Sequence, residues 1–414
     1  MSSLESSVKC APDHVPEELI WPHKLDEFTS EMDDPYLAAA RLHDRKGPGI
    51  FWALEASLGK PGWVLTSNEL IREVYMDTEH FSSTRDANSG DVIGQDMVRM
   101  IPVEVDPPEH YQYRSILNPL FTPSHVLRYD EMVKATCERL IGEIEDPADC
   151  EFIGDFAEQF PNSIFLSLVG LPQAELPQFL AWERQLLRSG NEGNFEKSTE
   201  AAGLIFQYLY GFVAGEKQNP NRTEFMDTLL KGTVEGRPLN DNEILGYLFL
   251  FYIAGLDTVY STLGWIFRHL AMDQPLQDHL RAHPEDIPAA VEEFTRAFAV
   301  PAPLRRVARD FEFHGVKMRK DDVVLLPLYI AARDPKAFED PHKIDIKRKG
   351  RNLSFATGPH FCLGIHLAKR ELRIALESFL SRFQSIRFKE GETYEYHVGG
   401  VLGVDRLPLE LIPA

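Results

Sequence analysis

The chain has few cysteines, and they are not paired along the sequence. Its 414 residues include four, with no CxxC spacing: Cys10, Cys137, Cys150 and Cys362. This usage excludes a disulfide framework, a zinc finger and a cysteine-bound iron–sulfur cluster, and it is typical of a reducing compartment.

Long uncharged apolar runs are also missing. The longest extends from Ile244 to Leu256 and stops at Asp257, short of the roughly 18 residues that suggest a membrane span. The first residues lack the apolar core of a signal peptide. We therefore expect a soluble, cytoplasmic protein in which this run lies inside a buried core helix.

Positive charge and nucleotide-binding glycine motifs are scarce as well. Lys and Arg number 43 against 64 Asp and Glu, a net charge of -21, which argues against nucleic acid or an anionic membrane as a partner. The sequence has no GxGxxG fingerprint for NAD or FAD. Any redox chemistry would need another cofactor and electrons from a separate protein.

What is present is mostly helical periodicity, which predicts a mainly α fold with a small β-rich subdomain. No repeat or linker divides the chain, so we expect one large domain over 1–414, with an irregular arm at 1–35 and a long substrate loop at 82–105. Helices are predicted at 36–46, 68–76, 109–120, 123–145, 155–170, 174–189, 195–217, 240–272, 275–282, 284–299 and 364–382, and strands at 49–54, 62–65, 305–308, 311–313, 322–326 and after 382.

One loop concentrates the chemistry, Phe355-Ala-Thr-Gly-Pro-His-Phe-Cys362-Leu-Gly364, together with the helix that follows, 355–382 in all. A cysteine just before a helix N-terminus is favoured as a thiolate by backbone N–H groups and the helix dipole. Such a thiolate suits a haem iron as an axial ligand. Two alternatives are a buried structural cysteine and a nucleophile with His360 as its base.

The spacing Phe-x-x-Gly-x-x-x-Cys-x-Gly resembles the haem-binding loop of the cytochrome P-450 monooxygenases, and it implies their fold. It implies that Cys362 ligates the iron of haem b (iron protoporphyrin IX), in a loop shaped by Phe355 and Gly364. Two departures are Ala356, where glycine is more usual, and Pro303, where a polar residue helps hold a propionate.

The predicted helix 240–272 contains Ala254-Gly-Leu-Asp257-Thr258. Glycine inside a helix costs about 1 kcal/mol relative to alanine, and Thr competes for backbone carbonyls, so a local groove is expected. The stretch resembles the acid–alcohol pair of the same family, which implies that Thr258 and Asp257 are catalytic and deliver protons for O–O cleavage. The alternative is a polar pair on the solvated side of a core helix.

Haem carries two propionates, so cationic donors are expected from several elements. The resemblance implies four: His110 and Arg114 on one helix face, Arg305 in a strand, and His360 before the thiolate. Arg306 is a rival for Arg305, and each of these side chains could instead be an ordinary surface charge.

Another helical pair is expected to be structural. Glu293 and Arg296 share a helix face at i, i+3. In the family such a pair bonds to a later segment, here the one carrying Asp345 and Arg348, and stabilises it beneath the haem loop.

The resemblance covers nearly the whole chain and is closest to the soluble bacterial type represented by the camphor 5-monooxygenases. It implies hydroxylation of an apolar molecule with O2, with electrons from a 2Fe–2S ferredoxin and its NAD(P)H-dependent reductase. The rivals are a peroxygenase or isomerase of the same family, which the acid–alcohol pair disfavours, and a haem-binding sensor without turnover.

The substrate is expected to be apolar and compact. The loop 82–105 offers Val92, Ile93 and Met97 but no tyrosine to anchor a ketone, which favours a terpenoid or norisoprenoid larger than camphor. The alternative is that the apolar residues near the haem only pack the core. The predicted substrate contacts are Val98, Met100, Leu250, Ile253, Ala254, Val401 and Leu402.

A local basic cluster stands out against the negative net charge: Lys347-Arg348-Lys349-Gly-Arg351. In the family's fold it lies on the thiolate side, where an acidic ferredoxin would be attracted. Lys369 and Arg370 are possible additions, and a solvated turn without a partner is the alternative.

Overall fold

The computed structural model describes residues 11–25, 32–57, 59–84, 98–191, 193–350 and 352–414. Helices dominate, and several are preceded or followed by 3-10 turns, while Ile153–Ala157 is π-helical. The α-helices are α1 (Pro35–Ala40), α2 (Asn68–Met76), α3 (Glu109–Leu117), α4 (Pro123–Val126), α5 (Asp130–Glu143), α6 (Gln159–Val169), α7 (Leu176–Asn191), α8 (Phe195–Glu216), α9 (Glu224–Leu230), α10 (Asp241–Leu270), α11 (Gln274–Ala282), α12 (Ile287–Ala297), α13 (Leu328–Ala331) and α14 (Ile365–Arg382).

The strands form one larger sheet and several small ones. They are β1 (Ile20–Lys24), β2 (Ile50–Ser57), β3 (Lys60–Leu65), β4 (Phe81–Ser82), β5 (Cys150–Glu151), β6 (Thr233–Val234), β7 (Arg237–Pro238), β8 (Leu304–Val307), β9 (Phe311–Phe313), β10 (Val316–Met318), β11 (Val323–Leu325), β12 (Phe383–Phe388), β13 (Glu395–His397), β14 (Gly403–Arg406) and β15 (Pro408–Pro413). The larger sheet has the order β1-β2-β3-β11-β8-β4, with β1 parallel to β2 and β11 parallel to β3.

This architecture confirms the predicted fold class, a mainly α chain with a small β-rich region. The arm at 1–35 is less irregular than expected, because its described part contains β1, which pairs with β2 through Ile20 and Trp52. The isolated sequence shows little of this, since the partner strand lies about thirty residues away and supplies the pairing. The helix predicted at 155–170 begins instead with the π-helical turn, and that at 123–145 is divided by a 3-10 turn.

Helix α10 organises the core, as the apolar run predicted. Its start is fixed by a capping box, in which Asn240 Oδ1 accepts from the Glu243 N–H at 3.0 Å and Glu243 Oε2 accepts from the Asn240 N–H at 2.8 Å. Its first half packs into one hydrophobic cluster through Leu248, and its second half packs into another through Leu263. By length and composition α10 could cross a membrane, but 59% of its most apolar window is buried inside the protein.

Candidate active site

A cavity of about 360 Å³ lies between the cysteine loop and α10. Cys362 and Gly364 line it on one side, and Ala254, Gly255 and Thr258 line it on the other. The fold therefore brings together the two motifs that are about one hundred residues apart in the sequence.

The cysteine loop is held by its own backbone. The Cys362 N–H donates to the Phe355 carbonyl at 2.9 Å, just before α14 begins at Ile365. Gly358 has a φ of +71°, and a Cβ there would lie 2.7 Å from the Tyr75 carbonyl oxygen, so only glycine fits. Ala356 also has a positive φ, +58°, a conformation that costs a non-glycine residue roughly 1–2 kcal/mol.

Opposing effects act on the Cys362 thiol. Burial raises its pKa, whereas the N–H groups of Gly364 and Ile365, together with the positive charges of Arg114 and Lys369, act to lower it. Coordination to a metal ion deprotonates a thiol outright. The loop therefore provides donors that stabilise a thiolate once a metal is bound.

Two histidines beside the cavity carry buried ring nitrogens without a polar partner in the described part of the chain. Among the described residues, neither ring nitrogen of His110 nor Nε2 of His360 has a hydrogen-bond partner, although all three atoms are buried. The two rings lie 4.3 Å apart. Burial, followed by nearby arginines, lowers the pKa of His110 to about 4 and that of His360 to about 3. Unsatisfied buried donors of this kind fit the carboxylates of a haem, which would supply the missing acceptors.

Of the two predicted arginines, Arg114 lines the cavity, whereas Arg305 lies behind its lining, near Tyr75 and His360. Arg114 donates from Nη2 to the Phe361 carbonyl at 2.6 Å, next to the cysteine. Arg305 lies over the Tyr75 ring at 5.1 Å and contributes to the lowered pKa of His360. Arg306 faces Asp321, 3.9 Å away, so the geometry favours Arg305 over its neighbour. Together with the histidines, these residues could hold both propionates of haem b.

Helix α10 remains continuous where it passes over the cavity. The Thr258 hydroxyl donates to the Ala254 carbonyl at 3.1 Å, which is the back-bonding expected of threonine in a helix. Asp257 points away from the cavity and is only 6% exposed. It accepts from the Ser261 hydroxyl at 3.2 Å. The adjacent acid and alcohol thus lie on different sides of the helix, one facing the cavity and one facing a buried polar cluster.

The predicted structural pair of Glu293 and Arg296 forms a bidentate ion pair. Arg296 donates to both carboxylate oxygens of Glu293 at 2.8 Å. Glu293 also accepts from the Asp345 N–H at 2.9 Å and from Arg348 Nε at 3.1 Å. On the same helix, the Thr295 carbonyl accepts from the Ser354 hydroxyl, just before the cysteine loop, at 2.6 Å. α12 therefore ties the segment at 345–348 to the start of the cysteine loop.

The predicted substrate contacts divide into two groups. Leu250 and Ala254 line the cavity. Other residues predicted to contact substrate are absent from its lining in the described part of the chain, and they pack against the two core clusters: Val98, Met100, Ile253, Val401 and Leu402. Leu402 is fully buried, and its carbonyl accepts from Trp265. Their role as substrate contacts stays a prediction, and Val92, Ile93 and Met97 lie outside the described residues.

Sequence reasoning missed the aromatic part of the cavity wall. Phe251 on α10 contacts the rings of Phe121 at 5.5 Å and Phe225 at 5.1 Å, and Phe165 and Phe298 also line the cavity. These side chains come from five separate segments of the chain. No local pattern distinguishes them from other buried phenylalanines, so only the folded chain identifies them.

Comparisons with known proteins agree with this geometry. The family model described as cytochrome P450 matches residues 171–287 and 287–393. The probable cytochrome P450 127A1 of Sinorhizobium fredii (strain NBRC 101917 / NGR234) is 36% identical over 96% of this chain and 96% of its own length. Cytochrome P450(MEG) of Priestia megaterium is 30% identical over 79% of this chain and 83% of its own length.

Solved structures show the same likeness over nearly the whole chain. The crystal structure of CYP101J2 superposes with a TM-score of 0.86 at 29% identity and covers 97% of this chain and 99% of that one. The crystal structure of cytochrome P450 CYP101C1 gives a TM-score of 0.85 at 27% identity and covers 98% and 100%. The chain therefore belongs to the cytochrome P450 family of monooxygenases, whose members bind haem b through a cysteine thiolate.

Proposed function

We propose that this protein hydroxylates a compact apolar substrate, a terpenoid or norisoprenoid, with electrons from a 2Fe–2S ferredoxin. The observation that carries the proposal is the cavity wall, where Leu250, Phe165 and Phe225 face the same space as Thr258 and Cys362. Pockets of this composition bind by apolar burial with few fixed polar contacts.

In this proposal the cysteine side of the cavity holds the cofactor. Cys362 ligates the iron, while His110, Arg114, Arg305 and His360 bind the propionates by charge and hydrogen bonds. Haem b, when bound, supplies the activation of O2 and the oxidation of the substrate. The loop and α14 would position the Cys362 thiolate to ligate the iron of that cofactor.

On the opposite side, Thr258 and Asp257 deliver protons to the site. Thr258 Oγ1 faces the cavity and can donate its proton there while it accepts another. Burial raises the pKa of Asp257, so its carboxyl group can carry a proton closer to neutral pH than an exposed aspartate can. In this proposal an apolar substrate displaces water from the cavity, and protons reach the site through these two residues.

The substrate class is tested by titrating the haem-loaded protein with terpenoids, norisoprenoids and polar compounds of similar size. Apolar ligands that displace water from the iron should shift the Soret band toward the high-spin position, and the hits should be hydroxylated with stoichiometric use of reducing equivalents. Spin-shifting binding by hexose sugars, with none by terpenoids, would contradict the proposed substrate class.

The proposed ferredoxin site is the basic segment near the cysteine loop. Lys347 and Lys349 are exposed, whereas Arg348 is bonded to Glu293 and is removed from the patch. Arg351 lies outside the described residues. The possible additions are already engaged, Lys369 with Glu292 at 2.6 Å and Arg370 with Asp130. The docking charge is thus proposed to come mainly from Lys347, Lys349 and Arg351. A cytoplasmic location, as the composition predicts, would give access to such a partner.

A further inference from the structure

The hairpin of β13 and β14 brings a histidine against the outer side of α10. His397 lies directly opposite Gly403 in the strand pairing. A Cβ at Gly403 would overlap the His397 ring, and the same point lies 2.9 Å from His397 Nε2 and 2.9 Å from Ser261 Oγ. The missing side chain at Gly403 therefore allows the imidazole to come close to the Ser261 hydroxyl.

Polar groups continue from this contact in both directions. Inward, the Ser261 hydroxyl donates to Asp257 Oδ1 at 3.2 Å. Outward, His397 Nδ1 lies 2.9 Å from Asp405 Oδ1, which also accepts from Arg188 Nη2 at 3.1 Å. Side-chain exposure rises along the same path, from the buried Asp257 to 23% for His397 and 52% for Arg188. Among the described residues these groups form two hydrogen-bonded pairs, Ser261 with Asp257 and His397 with Asp405, which are separated by the space that Gly403 leaves open.

The charges around His397 favour its protonated form. Burial acts to lower its pKa, but the hydrogen bond to Asp405 and the charge of Asp257 outweigh burial and raise the pKa above the ordinary value. Arg188 on α7 opposes this rise. The pKa of Asp405 is lowered despite its burial, because it is paired with His397. The imidazolium is therefore held between two carboxylates.

Asp257 lies in an environment that favours its protonated, neutral form. Burial is the largest effect that raises the pKa of Asp257, and the charge of Asp405 adds to it, while His397, Tyr260 and Ser261 act in the opposite direction. Glu183, a fully buried side chain of α7, also interacts with Asp257 and has a raised pKa of its own. Asp257 is thus poised to accept a proton from a cationic neighbour.

We propose that His397 is the proton donor that reprotonates Asp257 during turnover. Asp405 is the residue that positions His397. This donor role rests on the proton-delivery role proposed for Asp257 and Thr258. A small rotation of the imidazolium into the space beside Gly403 brings Nε2 to the Ser261 hydroxyl. Nε2 then gives its proton to Ser261 Oγ, and the original hydroxyl proton passes to Asp257 Oδ1. Solvent that reaches the partly exposed imidazole then returns a proton to the ring. One proton moves from solvent to Asp257, and no electron is transferred in the step.

The coupling between His397 and Asp257 is tested first without turnover. In the haem-loaded, carbon-monoxide-bound ferrous protein, which is diamagnetic, histidine ¹⁵N signals report the pKa of His397, assigned with His397→Gln. Asp257→Asn should lower that pKa, because it removes a neighbouring negative charge. An unchanged pKa would show that the two groups do not communicate and would overturn the proposal, whatever the activity of the enzyme.

The second test is the pH dependence of product formation, with a terpenoid that shifts the spin state and a 2Fe–2S ferredoxin with its reductase. The protonated donor is lost as pH rises through the pKa of His397, so the parent rate should fall there. His397→Gln should abolish that step and slow turnover about tenfold, less than the roughly 10²–10⁴ of a direct acid because water can replace an outer donor. Substrate affinity should not change.

Two further variants distinguish a proton-donor role of His397 from a purely structural one. His314→Gln removes another histidine–carboxylate pair, in which His314 of the β9–β10 hairpin lies 2.8 Å from Glu73 of α2. This variant should leave the pH profile intact. Gly403→Ala keeps His397 but displaces its ring, and should reproduce the His397→Gln profile. If His397→Gln and Gly403→Ala both retain the parent pH profile and solvent isotope effect, the donor role is wrong. A failed proposed function would instead appear as a missing thiolate spectrum or as normal coupling in Thr258→Ala.

Discussion

The two walls of the cavity are built from different kinds of interaction. The cysteine side is fixed by directional bonds, since the loop backbone holds Cys362 and the Glu293 carboxylate ties the segment at 345–348 to α12. The opposite side is formed by apolar and aromatic side chains around α10, with the hydroxyls of Thr258 and Thr262 as polar exceptions. Directional bonds impose one geometry, as a metal ligand requires, whereas apolar packing tolerates changes of shape. The difference indicates that cofactor binding is fixed on one wall while the other can vary with the substrate.

The largest effect should come from the proposed metal ligand, Cys362. Cys362→Ala removes the thiolate, so the reduced, carbon-monoxide-bound protein should lose the absorption typical of thiolate-ligated haem, along with all turnover. The measurement is the reduced carbon-monoxide difference spectrum. Cys137→Ala is the matched control, because that thiol is buried away from the cavity in the core. A thiolate spectrum that survived in Cys362→Ala would assign the ligand to another cysteine.

The next largest effect is expected from the ion pair that supports the cysteine side of the cavity. Glu293→Gln leaves Arg296 buried without its charged partner, which typically costs about 3–5 kcal/mol of unfolding free energy. We expect a lower midpoint in urea and loss of haem on dilution. Glu292→Gln is the control on the same helix, since its partner Lys369 is near the surface and such pairs contribute about 0–1 kcal/mol. Equal stability of the two variants would show that the α12 network does not hold this wall.

On the opposite wall, Thr258→Ala should change coupling more than binding. The substrate spin shift should persist because the apolar contacts remain, but more of the reducing equivalents should appear as peroxide and fewer as product. The measurement is product and peroxide formed per NADH. Thr262→Ala removes a second hydroxyl that also lines the cavity and back-bonds, 2.7 Å from the Thr258 carbonyl, and should keep normal coupling. Similar product yields in Thr258→Ala and the parent would remove the proposed proton role.

The smallest effect is expected outside the cavity. Neutralising Lys347, Lys349 and Arg351 together should slow reduction by the ferredoxin a few-fold at low salt, and the difference should shrink as ionic strength rises. Lys317→Ala with Lys320→Ala, two exposed lysines at β10, is the control. Haem content is measured in parallel. Identical rates and salt dependence in the patch variant and the parent would place the docking site elsewhere.

The elements of the fold were largely predictable from local sequence. α2 has the predicted bounds, Asn68–Met76, and the capping box of Asn240 and Glu243 marks the start of α10. These features depend on residues within a few positions of one another. β1 was missed because a strand in a polar, proline-bearing arm acquires its structure from pairing with β2. The break at Ile153–Ala157 was missed for a similar reason, since periodicity does not distinguish a π-helical turn from an α-helix.

The sequence by itself determined the chemistry that is encoded in short motifs, namely the cysteine loop, the Asp257–Thr258 pair and the Glu293–Arg296 pair. Each depends on spacing along one loop or helix, so it is visible before folding. Only the tertiary structure decided which distant residues share a space. It placed five phenylalanines, in addition to Phe355, around the cavity, directed Asp257 away from it, and brought His397 across a glycine to the outer side of α10. Such contacts arise from packing between elements far apart in the chain, and no local pattern records them.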